Sequence, residues 1–558
     1  MWDAGAGGGH RWPRRFDVSH PPVGGDFARF LHELKDRSGR SYQALAAHTG
    51  ISASALHRYC RGDGVPRQFA VVEKVGMVCG ASKAELVELH RLWVLADAHR
   101  DLPADRAEPI PVAAPVVTPR TGLKTAVRVA LTALLVLTMA AATARRTQPP
   151  AAQDITGPSW TRPPTEVRSE LFGVTMNSST GTMPGFRVGS VRLWDSGTRW
   201  ATIQPRRGEF DWSVLDRLVD GAVRAGLPPL FVLGGTPAWA APNGPEMAYD
   251  DGSRTAPPDD LADWDTFVRA LVDRYRGRID AYELWVMGNH PRYYTGTTET
   301  LVEMTRRASQ IIKAADPKAR VVCPGMGRLW EAEAQRVLQR FAELGGMRHC
   351  DVASVKLHQR TASDPPETML DLLAAIDRAM HQSGVHPTLW NTGTTYDIPL
   401  QGSLDDVTAT NYAVRFYLVG LYARQVSLER MYFYNWGGTK IPIVLQAEGG
   451  APTRAALAVE RLQRWLNRAS IRACGHGRAV NLPDNVWQCE FTVAGLTDSD
   501  RPRDAVIRWT SRGTATTDAG PRAESITRLD GTTSAVAPGD TVEVTEQPIL
   551  VHYRRAGE

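Results

Sequence analysis

The stretch "AYELWVMG", residues 281–288, decides the fold of most of this chain. It is a short apolar run that ends at a glycine, which is typical of a buried strand. Eight such runs follow residue 169, and amphipathic segments such as "DWSVLDRLVDGAVRAG" (211–226) separate them. The runs are "ELFGVTMN", "SVRLWD", "PPLFVLGG", "AYELWVMG", "RVVCPGMG", "VASVKLH", "TLWNTGT" and "RMYFYNW". Alternating units that close near residue 467 predict a (β/α)8 barrel over 169–467.

Composition and cysteine usage exclude several classes of protein. The 558 residues are 43% hydrophobic and 22% charged, which excludes wholesale disorder and suggests several domains. A net charge of +5 is too small at this length to indicate nucleic-acid binding by itself. Six cysteines without a CxxC or Cys/His cluster indicate neither a zinc site nor a cofactor. Cys474 and Cys489 flank a short segment and are disulfide candidates, and the other four are predicted to be buried thiols.

One apolar segment in the first third of the chain resembles a membrane span. "TAVRVALTALLVLTMAAATA", residues 125–144, lies between Pro-rich flanks that read as linkers rather than as globular neighbours. We expect a single transmembrane helix over 125–145, with a buried core helix as the alternative. The flanking basic residues favour a cytoplasmic N-terminus and extracytoplasmic C-terminal domains, so the expected localisation is single-pass in the cell membrane.

A helix-turn-helix pattern precedes that segment. In "QALAAHTGISASALHRYCRG", residues 43–62, Ala47 and Leu56 are expected to pack between two helices, Gly50 to form the turn, and Ser52 to cap the second helix. The spacing resembles the lambda-repressor/Cro-like helix-turn-helix, and the resemblance extends over an all-α domain at 26–98. It implies that the second helix enters the major groove. The implied DNA-binding residues are Gln43, Ser54, His57, Arg58 and Arg61. Use of the same surface for protein contacts is the alternative.

The barrel resembles clan A glycoside hydrolases. The resemblance is carried by "VRLWDSGTRWATIQPRRGEFDWSVLDRLVDGAVRAGL", "GGTPAWAAP" and "YELW". It implies catalytic glutamates at the ends of the fourth and seventh strands, and these positions align with Met287 and Gly393. Retaining hydrolysis needs two carboxyl groups about 5–5.5 Å apart. Neither methionine nor glycine can transfer a proton, so both catalytic positions are degenerate and the resemblance argues against an enzyme.

Further residues at the barrel strand ends also differ from those that the glycoside hydrolase resemblance implies. The Asn expected on the fourth strand is Val286, and the His expected on the sixth is Lys356, with His358 two residues on. Glu283 has inward parity but lies deeper, where it is predicted to be a structural partner of Arg192. Asp195 and Asp397 lie near strand ends without an obvious mate. The candidate ligand-binding residues are Arg192, Trp200, Trp239, Asn289, Tyr294, His358, Tyr396 and Trp436; for any single aromatic, a place in the core is the alternative.

The remaining segments complete a multidomain architecture. Residues 468–558 alternate apolar and polar residues between Gly, Pro and Asp turns, which predicts a C-terminal antiparallel β-sandwich. The expected order is a disordered N-terminus (1–25), the helix-turn-helix domain (26–98), a Pro-rich linker (99–124), the transmembrane helix (125–145), a linker (146–168), the TIM barrel (169–467) and the β-sandwich (468–558).

Together these patterns indicate a bacterial single-pass membrane protein that senses a glycan or the envelope through a catalytically dead barrel and regulates transcription through its head. The expected partners are a carbohydrate or cell-envelope ligand outside, DNA or a cytoplasmic protein assembly inside, and the lipid bilayer, with a homodimer left open. One alternative is a membrane-anchored glycoside hydrolase with displaced catalytic residues. Another is a membrane anchor whose head recruits a cytoplasmic assembly.

Overall fold

A computed structural model describes residues 25–49, 51–66, 69–98, 157–393, 401–493 and 502–554. The chain divides into two compact units, Met1–Leu134 and Leu135–Glu558. We call the helices of the first unit the head and the described part of the second the barrel unit. The predicted linker 99–124, nearly all of the predicted disordered N-terminus 1–25, and Gly50 lie outside the described residues.

The head is built from short amphipathic helices around one small core. The helices are α1 (Gly25–Arg37), α2 (Tyr42–Thr49), α3 (Ala53–Arg61), α4 (Phe69–Val78) and α5 (Lys83–Ala98). Their buried apolar residues form one cluster that includes Leu45, Leu56 and Trp93. Leu56 therefore packs inside as predicted, whereas Ala47 is exposed and Leu45 takes the buried position on α2. A hydrophobic face of this kind stabilises short helices that would be marginal alone.

Eight parallel strands of the barrel unit form the predicted barrel. They are β2 (Phe172–Met176), β3 (Ser190–Leu193), β4 (Pro229–Val232), β7 (Ala281–Glu283), β8 (Arg320–Val322), β9 (Ala353–Val355), β10 (Leu389–Asn391) and β11 (Leu428–Trp436). The sheet runs in the order β8-β7-β4-β3-β2-β11-β10-β9. Parallel bridges Val322↔Val352 and Met326↔Val355 join its two ends, so the ring is nearly closed. Each strand lies within one of the eight predicted runs or overlaps it.

Helices lie in the segments that connect or follow the strands of this ring, and their buried apolar residues belong to the same core. They are α6 (Trp200–Ile203), α7 (Ser213–Arg224), α8 (Leu261–Tyr275), α9 (Thr298–Ala315), α10 (Ala332–Glu343), α11 (Met369–Gln382), α12 (Asp406–Tyr422) and α13 (Arg454–Trp465). In α7 the buried residues Leu215, Leu218 and Ala222 recur at helical spacing. A short antiparallel pair, β5 (Thr236–Pro237) with β6 (Ser253–Arg254), lies in the segment between β4 and α8.

The C-terminal region is a β-sheet that also takes in a strand from before the barrel. Its strands are β1 (Ser159–Glu166), β12 (Ser470–His476), β13 (Val486–Val493), β14 (Arg503–Thr510), β15 (Ala515–Asp518), β16 (Ala523–Arg528), β17 (Thr533–Ala535), β18 (Thr541–Val544) and β19 (Ile549–Tyr553). Seven form one sheet in the order β1-β12-β13-β14-β19-β16-β17, and β15 pairs with β18. Strand β1 lies inside the segment 146–168, which was predicted to be a linker.

Two disulfides stabilise the barrel unit. Cys474 and Cys489 lie opposite each other on β12 and β13 and are bonded, as their flanking positions suggested. Cys323 and Cys350 are also bonded, which corrects the prediction that both are free thiols. Cys60 and Cys79 of the head are free and buried, as predicted. Burial raises the pKa of the Cys60 thiol to about 11, so it is not a reactive thiolate.

The transmembrane part of the predicted fold class, and with it the single-pass membrane localisation, is wrong. No helix within the described ranges is both long and apolar enough to cross a bilayer. The segment 125–145 itself lies outside those ranges.

Candidate functional site

The surface of α3 carries the polar side chains predicted to contact DNA. Ser52 caps the helix, and its hydroxyl accepts a hydrogen bond from the Ala55 N–H at 3.3 Å. Beyond the cap, Ser54, His57 and Arg58 are exposed on the same helix. The helix ends at Gly62, whose φ of 82° is left-handed. A short capped helix with its core face buried and its polar face exposed is what insertion into a major groove requires.

The other predicted DNA contacts lie beside this helix. Gln43 is exposed at the start of α2, and the rings of Tyr42 and His57 meet edge to face with centroids 5.2 Å apart. Arg61 is exposed and lies 3.4 Å from a carboxylate oxygen of Asp63, a weak surface pair. The first 100 residues hold 14 Lys and Arg against 10 Asp and Glu, so the general electrostatic attraction to phosphate is small.

Inside the barrel, Glu283 is the centre of a buried polar cluster. Its carboxylate accepts hydrogen bonds from Arg192 Nε at 2.7 Å, Ser354 Oγ at 3.0 Å, Lys356 Nζ at 3.3 Å and Thr392 Oγ1 at 3.3 Å. Lys356 also donates to Thr392 Oγ1 at 2.8 Å. The predicted pairing of Glu283 with Arg192 is thus observed, and the other three partners come from the sixth and seventh barrel strands.

The charges in this cluster shift one another's pKa values. Burial disfavours the charged form of Lys356 and lowers its pKa to about 7, although the nearby Glu283 acts in the opposite direction. Burial alone would raise the pKa of Glu283, but attraction to Arg192 and Lys356 outweighs it and the pKa is lowered. Glu283 is therefore a buried carboxylate held by two cations, which does not suit it for general acid catalysis.

Met287 and Gly393, the residues predicted to align with the catalytic glutamates, have different surroundings. Met287 is 3% exposed and belongs to the hydrophobic core, and a Cβ added at Gly327 would lie 2.9 Å from its sulfur. Gly393 follows β10 with a φ of 115°, in the region that favours glycine. A Cβ built there would meet Thr175 Oγ1 at 3.6 Å and the Tyr432 carbonyl oxygen at 3.8 Å, both ordinary contacts. Apolar bulk thus fills the first position, and the second carries no side chain.

Several predicted ligand-binding residues are buried among other side chains. Trp200 and Trp436 are fully buried, and their indole N–H groups donate to Gln204 and Gln446, both at 2.8 Å. Tyr294 is buried against Trp285. The hydrophobic pattern could not separate these aromatics from cleft residues, because both kinds lie at or beyond strand ends.

The other predicted ligand-binding residues differ in burial and in hydrogen bonding. The amide of Asn289 is used twice, donating to the Gly327 carbonyl at 2.8 Å and accepting from its N–H at 3.0 Å. Trp239 is half-buried and donates to the Gln204 carbonyl at 2.9 Å. His358 is buried after β9, with Nδ1 2.7 Å from the Gln359 carbonyl. Tyr396 lies outside the described residues, as does Asp397.

An acid and two tyrosines form a group that the sequence pattern did not bring together. Asp195, just after β3, is half-buried and hydrogen-bonded by the hydroxyl of Tyr434. Burial raises the pKa of Asp195 more than the nearby Arg192 and Arg199 lower it. Arg199 also lies over the Tyr249 ring, 3.8 Å from its centroid. The inward parity of Tyr434 on β11 was the signal that could have placed it here.

Comparison with known proteins supports both units at the level of fold. A family profile described as "Helix-turn-helix domain" matches residues 26–89. The head is a helix-turn-helix domain. No curated protein matches the chain. Among solved structures, a family 39 glycoside hydrolase from Bacteroides cellulosilyticus WH2 is 14% identical with a TM-score of 0.50, covering 73% of this chain and 83% of that chain.

A glucosidase from Croceicoccus marinus is also 14% identical, with a TM-score of 0.47, and covers 71% of this chain and 97% of that chain. Likeness at this level of identity concerns the fold alone. The barrel unit therefore has structural neighbours among glycoside hydrolases, and its chemistry has to be argued from its own residues.

Proposed function

We propose that this protein is a transcriptional regulator whose barrel binds a carbohydrate without cleaving it and whose helix-turn-helix head binds DNA. The observation that carries the proposal is the chemistry at the ends of the fourth and seventh barrel strands. Met287 and Gly393 have no proton to transfer and no nucleophile to offer. The buried carboxylate nearby, Glu283, is committed to Arg192 and Lys356. A ligand that is bound but not consumed suits a receptor.

The head supports the regulatory half of the proposal. Arg58 and His57 are exposed on a capped helix, where their side chains are accessible to a duplex. Because the excess of basic charge is small, specificity would come from base contacts and not from phosphate attraction. A small head of this kind gains affinity when two copies bind adjacent half-sites.

The test measures both activities on the full chain. The purified protein is incubated with a panel of aryl glycosides and, separately, applied to a glycan array, and its DNA preference is selected from random duplexes with and without the glycan bound. We expect glycan binding, no turnover, and selection of a defined duplex. Absence of any glycan signal, or absence of any selected duplex, contradicts the corresponding half of the proposal.

One observation favours a second function, a glycoside hydrolase with displaced groups. Asp195 has a raised pKa and a hydrogen bond from Tyr434, and a carboxyl group with a raised pKa can act as a general acid. Turnover of an aryl glycoside by the unmodified chain, abolished in Asp195→Asn and retained in the exposed-site control Asp273→Asn, would favour the enzyme over the receptor.

A further inference from the structure

Tyr42, the first residue of α2, contacts both α1 and the helix that carries most of the predicted DNA contacts. Its ring is half-buried and packs against the core of the head. The Nζ atom of Lys35 on α1 lies over this ring, 4.9 Å from its centroid. A cation at this distance is attracted to the face of an aromatic ring. The orientation of the ring is therefore fixed by the protein alone.

Two contacts connect Tyr42 to α3. Its hydroxyl is hydrogen-bonded to the thiol of Cys60, which is buried. Its ring meets the His57 imidazole edge to face, with the centroids 5.2 Å apart and the planes at 84°. Rings at this separation and angle attract each other. Because His57 and Cys60 are three positions apart on one helix, Tyr42 contacts α3 both at its buried side and at its exposed side.

His57 occupies the middle of the exposed face of α3. Ser54 lies one turn before it and Arg61 one turn after it, and all three side chains are exposed. In a helix that enters the major groove, side chains on this face reach the base edges. An imidazole offers both a hydrogen-bond donor and an acceptor when neutral, so it can pair with a base edge.

The contact with Tyr42 reduces the cost of using His57 in this way. An exposed side chain that is free to rotate loses that freedom when it is ordered at an interface, and the loss opposes binding. A side chain that the protein already holds in its bound orientation avoids most of this cost. His57 is exposed and is also held by a ring that Lys35 and Cys60 fix in turn.

We infer that Tyr42 is a positioning residue for DNA readout, which holds the His57 imidazole in the orientation in which it hydrogen-bonds a base edge. The preference for one base pair of the bound sequence then depends on both residues. The inference rests on the proposed function, in that the head binds DNA. It adds the residue that determines specificity at one base pair and the residue that orients it.

The experiment is a double-mutant cycle on the full chain, measured by fluorescence anisotropy on the duplex selected from random sequences. His57→Ala should weaken binding about fivefold or more, the loss expected when one base pair is no longer read. Tyr42→Leu should weaken binding about threefold in the wild-type background and should add nothing in His57→Ala, because no imidazole is left to orient. An equal loss in both backgrounds, or no loss in Tyr42→Leu, overturns the inference.

Two further variants separate positioning from packing. Tyr42→Phe keeps the ring that contacts His57 and should bind within about twofold of the wild type. Phe30→Leu is the matched control, because Phe30 is also half-buried against the core of the head and makes no ring contact with His57 in the described part of the chain. It should leave the affinity nearly unchanged. Failure of Tyr42→Phe to restore binding, or an equal loss in Phe30→Leu, contradicts an orienting role of the Tyr42 ring.

The sequences that each variant selects give an independent measurement. His57→Ala and Tyr42→Leu should lose the preference at the same base pair and keep it at the others. A loss spread evenly over the site in Tyr42→Leu would show that α3 as a whole has moved, which overturns the inference and leaves the proposed function standing. If the unmodified chain selects no duplex, both the inference and the DNA-binding half of the proposed function are overturned.

Discussion

Arg192 and Glu283 form an ion pair across the barrel interior, with 2.7 Å between Nε and the carboxylate oxygen and both side chains at most 3% exposed. The pair joins the second barrel strand to the fourth. Lys356, directly after the sixth strand, contacts the same carboxylate. Buried ions are expensive to desolvate, so a pair of this kind persists only when its partners are satisfied. Glu283 is the residue on which the two cations depend.

Glu283→Gln should destabilise the protein by about 3 kcal/mol or more, because Arg192 and Lys356 would remain buried without a counter-charge. The free energy of unfolding in urea measures the effect. Glu209→Gln is the matched control, since Glu209 pairs with Arg206 at an exposed position and its loss should cost less than about 1 kcal/mol. Equal effects in the two variants would contradict the central role of Glu283.

Lys356 should make stability depend on pH. Its pKa falls from 10.5 in the unfolded chain to about 7 in the folded protein, so the unfolded state binds more protons between these values. Stability contributed by this group therefore rises with pH across that window, by at most about 1.4 kcal/mol per pH unit. The free energy of unfolding of the wild type relative to Lys356→Met, measured from pH 6 to pH 10, should increase; a flat difference would refute the shifted pKa.

Gly393→Ala should destabilise the barrel unit by about 1–3 kcal/mol, because its φ of 115° lies where side chains are strained, even though the added methyl group has room. Gly402→Ala is the control, since Gly402 is not at positive φ and a Cβ there meets nothing. Thermal unfolding of both variants is the measurement. A harmless Gly393→Ala would mean that the backbone at this position accepts a Cβ without strain.

Arg58→Ala should weaken binding to the selected duplex by about 1–3 kcal/mol if Arg58 reads a base. Arg91→Ala removes the same charge from α5, where Arg91 is exposed and pairs with Glu88, and should change the affinity little. Fluorescence anisotropy at fixed salt measures both. A loss that is the same for unrelated duplexes would assign Arg58 to the phosphate backbone.

Replacing both Cys474 and Cys489 by alanine should lower the free energy of unfolding by about 3 kcal/mol, the amount expected for opening a loop of their 15-residue separation. Adding a reductant to the wild type opens both bridges, so the free energy of unfolding should fall by more than in the double variant. The excess is the contribution of Cys323–Cys350. A double variant as stable as the wild type would show that the β12–β13 pairing suffices alone.

The regular elements were predictable because each repeats a local signal. The alternation of apolar runs with amphipathic segments is enough to count eight strands, and inward parity is enough to pair Glu283 with Arg192. The cap at Ser52 follows from its chemistry at the start of α3. In each case the structural feature is determined by residues within one element or at a fixed distance from a strand end.

The errors concern relationships that no local pattern encodes. Strand β1 contains two prolines and by itself resembles a linker. Its partner β12 lies about 310 positions later in the chain, so no local pattern reveals the pairing. Cys323 and Cys350 meet only because the segment after α10 returns to the barrel. Trp200 and Trp436 lie at or beyond strand ends like cleft residues, yet neighbouring elements cover them completely. Such coverage is a property of tertiary packing, which overrides position along a strand.

The pairing of β1 with β12 has a consequence for how this part of the chain can be inherited. The strand that leads into the barrel and the strand that leaves it are hydrogen-bonded neighbours, and Trp160 on β1 also donates to the Tyr422 carbonyl at 2.8 Å. A recombination event that cut at the edges of the barrel, near 169 and 467, would remove both strands and leave the Tyr422 carbonyl at the end of α12 without the Trp160 hydrogen bond. A barrel excised at those edges is therefore expected to be less stable than the barrel and the sheet transferred together.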